Sequence, residues 1–278
     1  MILNLDHTFN PFPKKKSIAF EQFTFSGGEP HIRITEDLEN VNEVTVSQRI
    51  CSFDDFGLLL IAVNALKNME VEKINLFIPY FPAARQDRLM TTGQALSVKV
   101  YADIINSLKV NSVTIFDPHS DVTPALLENC KVINNFNFIE KVMRKLGKQT
   151  ILISPDGGAL KKIYKVASHL QDYEVVECSK VRNVITRKLS GFKVYAEDLE
   201  GRDCLIVDDI CDGGGTFLGL AKELKAKNAG KLYLAVSHGI FNKGLNELAK
   251  QFELVFTTDS FKNVEGEKLL QFKIAEVI

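Results

Sequence analysis

Short apolar runs alternate along the chain with stretches of helical spacing. Ile74 to Ile78 is an apolar run closed by Pro79, and Ser97 to Leu108 repeats its apolar residues at helical intervals. Ser112 to Phe116 is a second run, ending in Asp117-Pro118-His119. Thr150 to Ile153 is a third, ending in Ser154-Pro155-Asp156-Gly157-Gly158, with a helical stretch from Ala159 to Leu170. Glu174 to Val176 reads as strand and is followed by a polar, basic loop. Cys204 to Val207 reads as strand, Phe217 to Lys227 as helix, and Leu232 to Val236 and Leu254 to Thr257 as further strands. Continuous apolar strands separated by helices predict parallel sheets covered on both faces. Ligands of such sheets bind beyond the carboxyl ends of the strands. Asp117, His119, Asp156, Asp208, Asp209 and Asp212 all fall there. A boundary near Asn134 to Phe138 splits the rhythm into halves, 1–137 and 138–278, and leaves open whether Phe272 to Ile278 returns to the first half.

Composition narrows the classes. With 278 residues and 45% apolar content the chain can build two ordinary domains. A formal net charge of -1 gives no general attraction to nucleic acid or to a membrane surface. No apolar run approaches bilayer length or resembles a secretory segment. Five cysteines, at spacings that match no zinc pattern, fit a reducing, cytoplasmic setting.

The strongest chemical signal is Val207-Asp208-Asp209-Ile210-Cys211-Asp212-Gly213-Gly214-Gly215-Thr216-Phe217. An apolar strand runs into two carboxylates, then three glycines, then a helix. Adjacent carboxylates can accept from the two neighbouring hydroxyls of a ribose. Glycines let successive N–H groups converge on one anion, and the helix start adds its free N–H groups and dipole. Thr216 can add a hydroxyl donor. A solvated acidic turn is the plainer alternative, and the placement between strand and helix weighs against it.

This loop resembles the ribose 5-phosphate loop shared by phosphoribosyltransferases and ribose-phosphate pyrophosphokinases. Other segments separate the two families. Tyr80 to Lys99 contains Tyr80-Phe81, then Ala84-Arg85-Gln86-Asp87-Arg88, and resembles the ATP-binding segment of the pyrophosphokinases. Arg85 offers a planar fork for a phosphate or an adenine face, and Gln86 a donor and an acceptor for a base edge. Phe25-Ser26-Gly27-Gly28-Glu29 is similar to the family loop that carries adenine contacts across a subunit interface, although a plain hairpin turn reads equally well. Asp117-Pro118-His119-Ser120 resembles the segment whose histidine meets ATP and magnesium, and the loop around Asp156 the one whose carboxylate helps hold magnesium and ribose. Lys180 and Arg182 match, two apart, the basic pair on the family's mobile catalytic loop.

The resemblance, running from about Phe25 to Asp259, implies two similar phosphoribosyltransferase-like α/β domains, an ATP-binding half followed by a ribose-phosphate half. It implies attack by the 1-hydroxyl of ribose 5-phosphate on the β-phosphorus of ATP, with AMP leaving and Mg²⁺ as cofactor. Lys180 and Arg182 would neutralise the moving diphosphate. Asp208, Asp209, Asp212 and Gly213 to Thr216 would hold the ribose phosphate. Phe25, Glu29, Arg85, Gln86 and His119 would hold ATP, with His119 and Asp156 as metal ligands. The family habit implies a homo-oligomer built on dimers, up to a hexamer, working in nucleotide and NAD synthesis.

Several positions depart from that pattern. The N-terminus is short, so the usual first strand–helix unit is expected to be missing. Gly27 stands where relatives carry Asp, Met90 where an acidic residue is common, and Gly213 where they carry Thr or Ser. The stretch from Ser120 to Cys130 differs from the one linked to allosteric control. Loss of a hydroxyl at Gly213 weakens the grip on a phosphate monoester and opens space beside it. ADP-ribose is therefore an alternative acceptor for the same chemistry. A non-catalytic homologue and a phosphoribosyltransferase remain as further readings.

Overall fold

Ser52 and Asp55 open the first helix, α1 (Phe53–Asn68), by bonding each other's ends. The Ser52 hydroxyl accepts from Asp55 N at 3.1 Å, and the Asp55 carboxylate accepts from Cys51 N and Ser52 N at 2.9 and 2.8 Å. The computed structural model describes residues 1–171, 173–182 and 189–278, the side chains of 181, 182, 189 and 190 excepted. It divides into two units, Met1–Asn134 with Ile278, and Asn135–Val277.

In the first unit β1 (Ile2–Asn4), β4 (Glu43–Ser47), β5 (Lys73–Ile78), β6 (Ser112–Phe116) and β7 (Cys130–Ile133) form a parallel sheet in that order. β2 (Phe20–Thr24) and β3 (Pro30–Ile34) make an antiparallel hairpin beside it in sequence. Leu59, Ala62, Val63 and Leu66 of α1 join Val98, Ala102 and Ile105 of α2 (Ser97–Ser107) in a core with the strand residues Val46, Leu76 and Ile115. A short helix, α3 (Val122–Leu126), follows β6. A first strand is therefore present at the N-terminus, and what is absent between β1 and β2 is a helix.

The second unit holds a seven-stranded sheet in the order β10 (Leu189–Val194), β9 (Val175–Arg182), β8 (Ile151–Ser154), β11 (Cys204–Cys211), β12 (Leu232–Gly239), β13 (Leu254–Thr258) and β14 (Leu269–Phe272). All neighbours are parallel except β9 and β10. Its helices are α4 (Phe136–Leu146), α5 (Leu160–Leu170), α6 (Gly215–Ala226) and α7 (Asn246–Gln251). Phe217, Leu220, Ala221 and Leu224 of α6 are buried on Ile153, Ile206 and Leu234 of the sheet. Burying Phe217, Leu220 or Leu224 stabilises by about 1.5–3 kcal/mol each. β14 pairs with β13, Phe272 meets the Phe138 ring at 5.7 Å, and Ile274 N donates to Asp259 Oδ1 at 2.6 Å, so Leu269 to Val277 packs in this unit.

Strands β9, β11 and β12 run well past the ends that the apolar pattern predicts, β12 from Val236 on to Gly239. β11 continues past Val207 through both carboxylates to Cys211, because its edge goes on pairing with β12 as far as Gly239. β9 continues past Val176 to Arg182, held by antiparallel pairing with β10. Lys180 is thus a strand residue rather than part of an open loop. Residues 183–188 of the expected basic loop lie outside the described residues, as does the side chain of Arg182.

Candidate active site

The winding of the second sheet reverses beside β8. From β8 the chain steps to β9 on one side and then crosses to β11 on the other. The carboxyl ends of β8 and β11 therefore flank a switch point, where loops diverge and leave a crevice. Asp156 follows β8, and Asp208 to Gly214 close β11 and open α6.

Gly214 is the N-cap of α6 with φ of 73°, a left-handed conformation that favours glycine. A Cβ there would also lie 3.2 Å from Leu248 Cδ2. A Cβ on Gly215 would meet nothing within 4 Å. The helix starts at Gly215, two residues earlier than its apolar pattern, so Gly215, Thr216 and Phe217 place their N–H groups in its unbonded first turn. Beside Gly213, a Cβ would lie 3.4 Å from Asn242 Oδ1 and 3.5 Å from Lys243 Cε.

Asp208 and Asp209 repel each other at the end of β11. Burial first, then the charge of Asp209, and more weakly that of Asp156, push the Asp208 carboxyl well above its usual range. The two side chains share a hydrogen bond, and Asp209 N donates to Asp208 Oδ1 at 2.9 Å. Asp209 is only 6% exposed. Asp156 accepts from Gly158 N at 2.8 Å and Ala159 N at 3.1 Å through Oδ1, while Oδ2 meets the Lys180 ammonium. Burial alone would raise its carboxyl, yet Lys180 and the two N–H groups hold it below the usual range. Cys178 and Cys211 are buried, and burial pushes both thiols up to about 12, so they pack as neutral groups. Cys51 is exposed.

The first unit gathers a second group. β5 and β6 are neighbours, tied at their ends by Phe116 N donating to Pro79 O at 3.1 Å. The segment with Arg85 and Gln86 follows one, and the segment with His119 follows the other. Asp87 joins them. It is 8% exposed, bonds Arg88 Nε at 2.9 Å and accepts from Ser120. Burial would raise its carboxyl, but Arg88, Ser120 and the nearby His119 hold it low. The sequence reading passed over Asp87 because a carboxylate between two arginines looks like a solvated turn. At the hairpin tip Phe25 N donates to Glu29 O at 2.9 Å, and the half-exposed Phe25 ring packs edge-on against Phe23 at 4.9 Å. The Glu29 carboxylate folds back over Gly27, where a Cβ would lie 2.5 Å from Oε2.

Among the described residues no cluster of three or more His, Cys, Asp or Glu side chains is arranged to hold a metal ion. The second unit still offers what magnesium takes. Asp156, Asp208 and Asp209 are hard oxygen donors, and a cation at the Asp208–Asp209 pair would offset the burial and the mutual repulsion that push the Asp208 carboxyl up. Substrate oxygens and water would complete the shell.

Residues 14–108 match the family described as the N-terminal domain of ribose phosphate pyrophosphokinase, and residues 125–271 match the phosphoribosyl transferase domain. The ribose-phosphate pyrophosphokinase of Shewanella oneidensis is 30% identical over 224 residues, 78% of this chain and 70% of that protein. This chain belongs to the ribose-phosphate pyrophosphokinase family. The ribose-phosphate pyrophosphokinase of Mycoplasma genitalium is 27% identical over 267 residues, 91% of this chain and 78% of that protein. The phosphoribosylpyrophosphate synthetase of Mycobacterium smegmatis has the same fold, with a TM-score of 0.81 at 21% identity over 94% of this chain and 87% of that one. Two α/β domains with mostly parallel sheets, read from the alternating runs, are the architecture of this pyrophosphokinase fold. The N-terminal match also separates the chain from the single-domain phosphoribosyltransferase reading. As a member of the pyrophosphokinase family the chain is an ATP-dependent diphosphotransferase.

Proposed function

We propose that the chain transfers the β,γ-diphosphate of ATP to the 1-hydroxyl of a ribose 5-phosphate moiety and releases AMP. The observation that carries this is the run from paired carboxylates to a left-handed Gly214 opening α6, set at the switch point of the second sheet. Gly213 to Thr216 hold the 5-phosphate on N–H groups and the helix start. Asp208 and Asp209 accept from the ribose diol, with Asp212 beside them. Arg85, Gln86 and His119 hold ATP, and Asp87 keeps the two segments together. Phe25 and Glu29 serve an adenine site completed in a homo-oligomer.

The bond from the 1-oxygen to the β-phosphorus forms, the bond from the β-phosphorus to the α,β-bridging oxygen breaks, and AMP leaves with that oxygen. The hydroxyl proton passes to water. Such a transfer needs alignment and charge neutralisation more than covalent help. Lys180 exchanges one anion for another, Asp156 before substrate enters and the diphosphate as charge moves onto the leaving oxygen. Arg182 is assigned the same task from its spacing. Magnesium held by Asp156 with the Asp208–Asp209 pair would supply further neutralisation of the phosphoryl oxygens.

ADP-ribose is the second acceptor to test, because Gly213 lacks the hydroxyl of the family pattern, although the room expected beside it is taken by the Lys243 stem. The product would then serve NAD synthesis. No helix of the described residues is long and apolar enough to cross a membrane, and the free cysteines suit a cytoplasmic site. The test is AMP release from ATP and Mg²⁺ with each acceptor. Release with ribose 5-phosphate supports the primary reading, and release with ADP-ribose alone replaces the acceptor. No release with either refutes the activity.

A further inference from the structure

The loop between β12 and α7 lies across the phosphate loop. Ile240 N and Phe241 N both donate to Cys211 O, at 2.9 and 3.0 Å, and Asn242 N donates to Asp212 O at 3.2 Å. Gly244 N donates to Phe241 O at 3.0 Å, and the turn is completed by φ values of 47° at Phe241 and 72° at Gly244. Three backbone bonds thus fix the side of this loop that faces the strand end before Gly213, and a fourth closes the turn within it. Residues Asn242 and Lys243, at its crest, are exposed.

A methyl placed on Gly213 would touch the Lys243 stem at 3.5 Å from Cε and 3.6 Å from Cδ, besides Asn242 Oδ1 at 3.4 Å. Those are ordinary contact distances. A threonine would push its Cγ or Oγ one bond farther, into that contact. The glycine therefore does not leave open space. It makes way for the lysine stem, whose ammonium lies one atom beyond Cε. Lys243 forms no ion pair among the described residues. An exposed cation, with its stem laid along an anion-binding glycine loop, has a phosphoryl oxygen as its natural partner.

We infer that Lys243 supplies the phosphate-binding group that the loop lacks at Gly213, and so sets how the enzyme grips the phosphoryl group on C5 of its acceptor. The inference rests on the reading of this loop as the acceptor site. The ligand chemistry is a phosphoryl group on ribose C5, which a terminal monoester (ribose 5-phosphate) or a diphosphate ester (ADP-ribose) can supply.

The experiment compares calorimetric binding of both acceptors, and steady-state AMP release, for the wild type and Lys243→Ala. The acceptor Kd and KM rise about 10- to 100-fold, while kcat and the KM for ATP stay within about threefold. Lys243→Arg restores most of the loss. In the Lys243→Ala background Gly213→Thr recovers part of the affinity, whereas in the wild type it lowers affinity by crowding the lysine. A larger loss with ADP-ribose points to the diphosphate ester, and a larger loss with ribose 5-phosphate to the monoester. Either supports the inference. Unchanged acceptor binding in Lys243→Ala, or no binding of either acceptor to the wild type, overturns it. Binding that depends on Lys243 without AMP release would refute the proposed activity and leave the role of Lys243 standing.

Discussion

Lys180 rests on Asp156, and each shapes what the other can do. The Lys180 side chain is 22% exposed and that of Asp156 19%, so the pair is partly screened rather than sealed. Asp156 keeps two N–H donors besides Lys180, which means it stays oriented when the lysine turns to another anion. Lys180→Ala should therefore lower kcat by about 10² to 10³, the range for losing one charge-stabilising donor, while acceptor Kd changes less than about threefold. Near-normal turnover would remove Lys180 from the mechanism. The same variant has a pH signature. Lys180 holds the Asp156 carboxyl low, so its stabilising contribution is present above the unfolded carboxylate value and is lost as pH falls through the folded one. Without Lys180 the folded value rises, and acid unfolding should begin at a higher pH. At this scale the sequence marked Asp156 and Lys180 as single candidates. Their pairing was invisible, because 23 intervening residues fold into α5 and the turn to β9 before the two meet.

At the scale of elements, α6 couples the phosphate loop to the strand that carries Lys180. A Cβ on Gly219 would lie 2.2 Å from Phe192 Cε2, so α6 comes close to β10 only because residue 219 has no side chain. Phe192 in turn sits opposite Lys180 in the β9–β10 register. Gly219→Val should push Phe192 away, cost about 1–3 kcal/mol by overpacking, and lower kcat more than it raises acceptor KM. Urea unfolding and kinetics on the purified variant measure both effects. A stability loss with unchanged kcat would show that β9 holds its position without this contact. The periodicity gave α6 to within two residues at its start and one at its end, because Phe217, Leu220, Ala221 and Leu224 repeat on one face. It missed α1, whose run Leu58 to Val63 is apolar all round and shows no single stripe. It also stopped β9 and β11 at their last apolar residues, since strand pairing rather than hydrophobicity carries them on to Arg182 and Cys211.

At the scale of the whole molecule, the proposed chemistry is divided between the two units. The Arg85, Asp87 and His119 group lies within Met1–Asn134, and the Asp156, Lys180 and Gly213 group within Asn135–Val277. Hydrogen exchange should report that division. Saturating ribose 5-phosphate or ADP-ribose slows exchange at the amides of 213–217 and leaves 80–90 and 117–120 unchanged, while ATP slows the latter segments. Acceptor protection confined to the first unit would reverse the assignment of the halves.

By itself the sequence determined the alternation of strands and helices, and it placed the carboxylates and glycines at strand ends, because burial on both faces demands apolar runs and polar residues interrupt them. The loop proposed to hold the ribose phosphate was readable for the same reason: its carboxylates, glycines and helix start are contiguous. Tertiary structure decided what non-contiguous segments do to one another. It set Lys180 on Asp156, drew Ser120 to Asp87, and laid the Lys243 stem against Gly213 across 29 residues of intervening chain. A glycine in a sequence shows only that a side chain is missing; the folded neighbours decide whether the space is open or already filled.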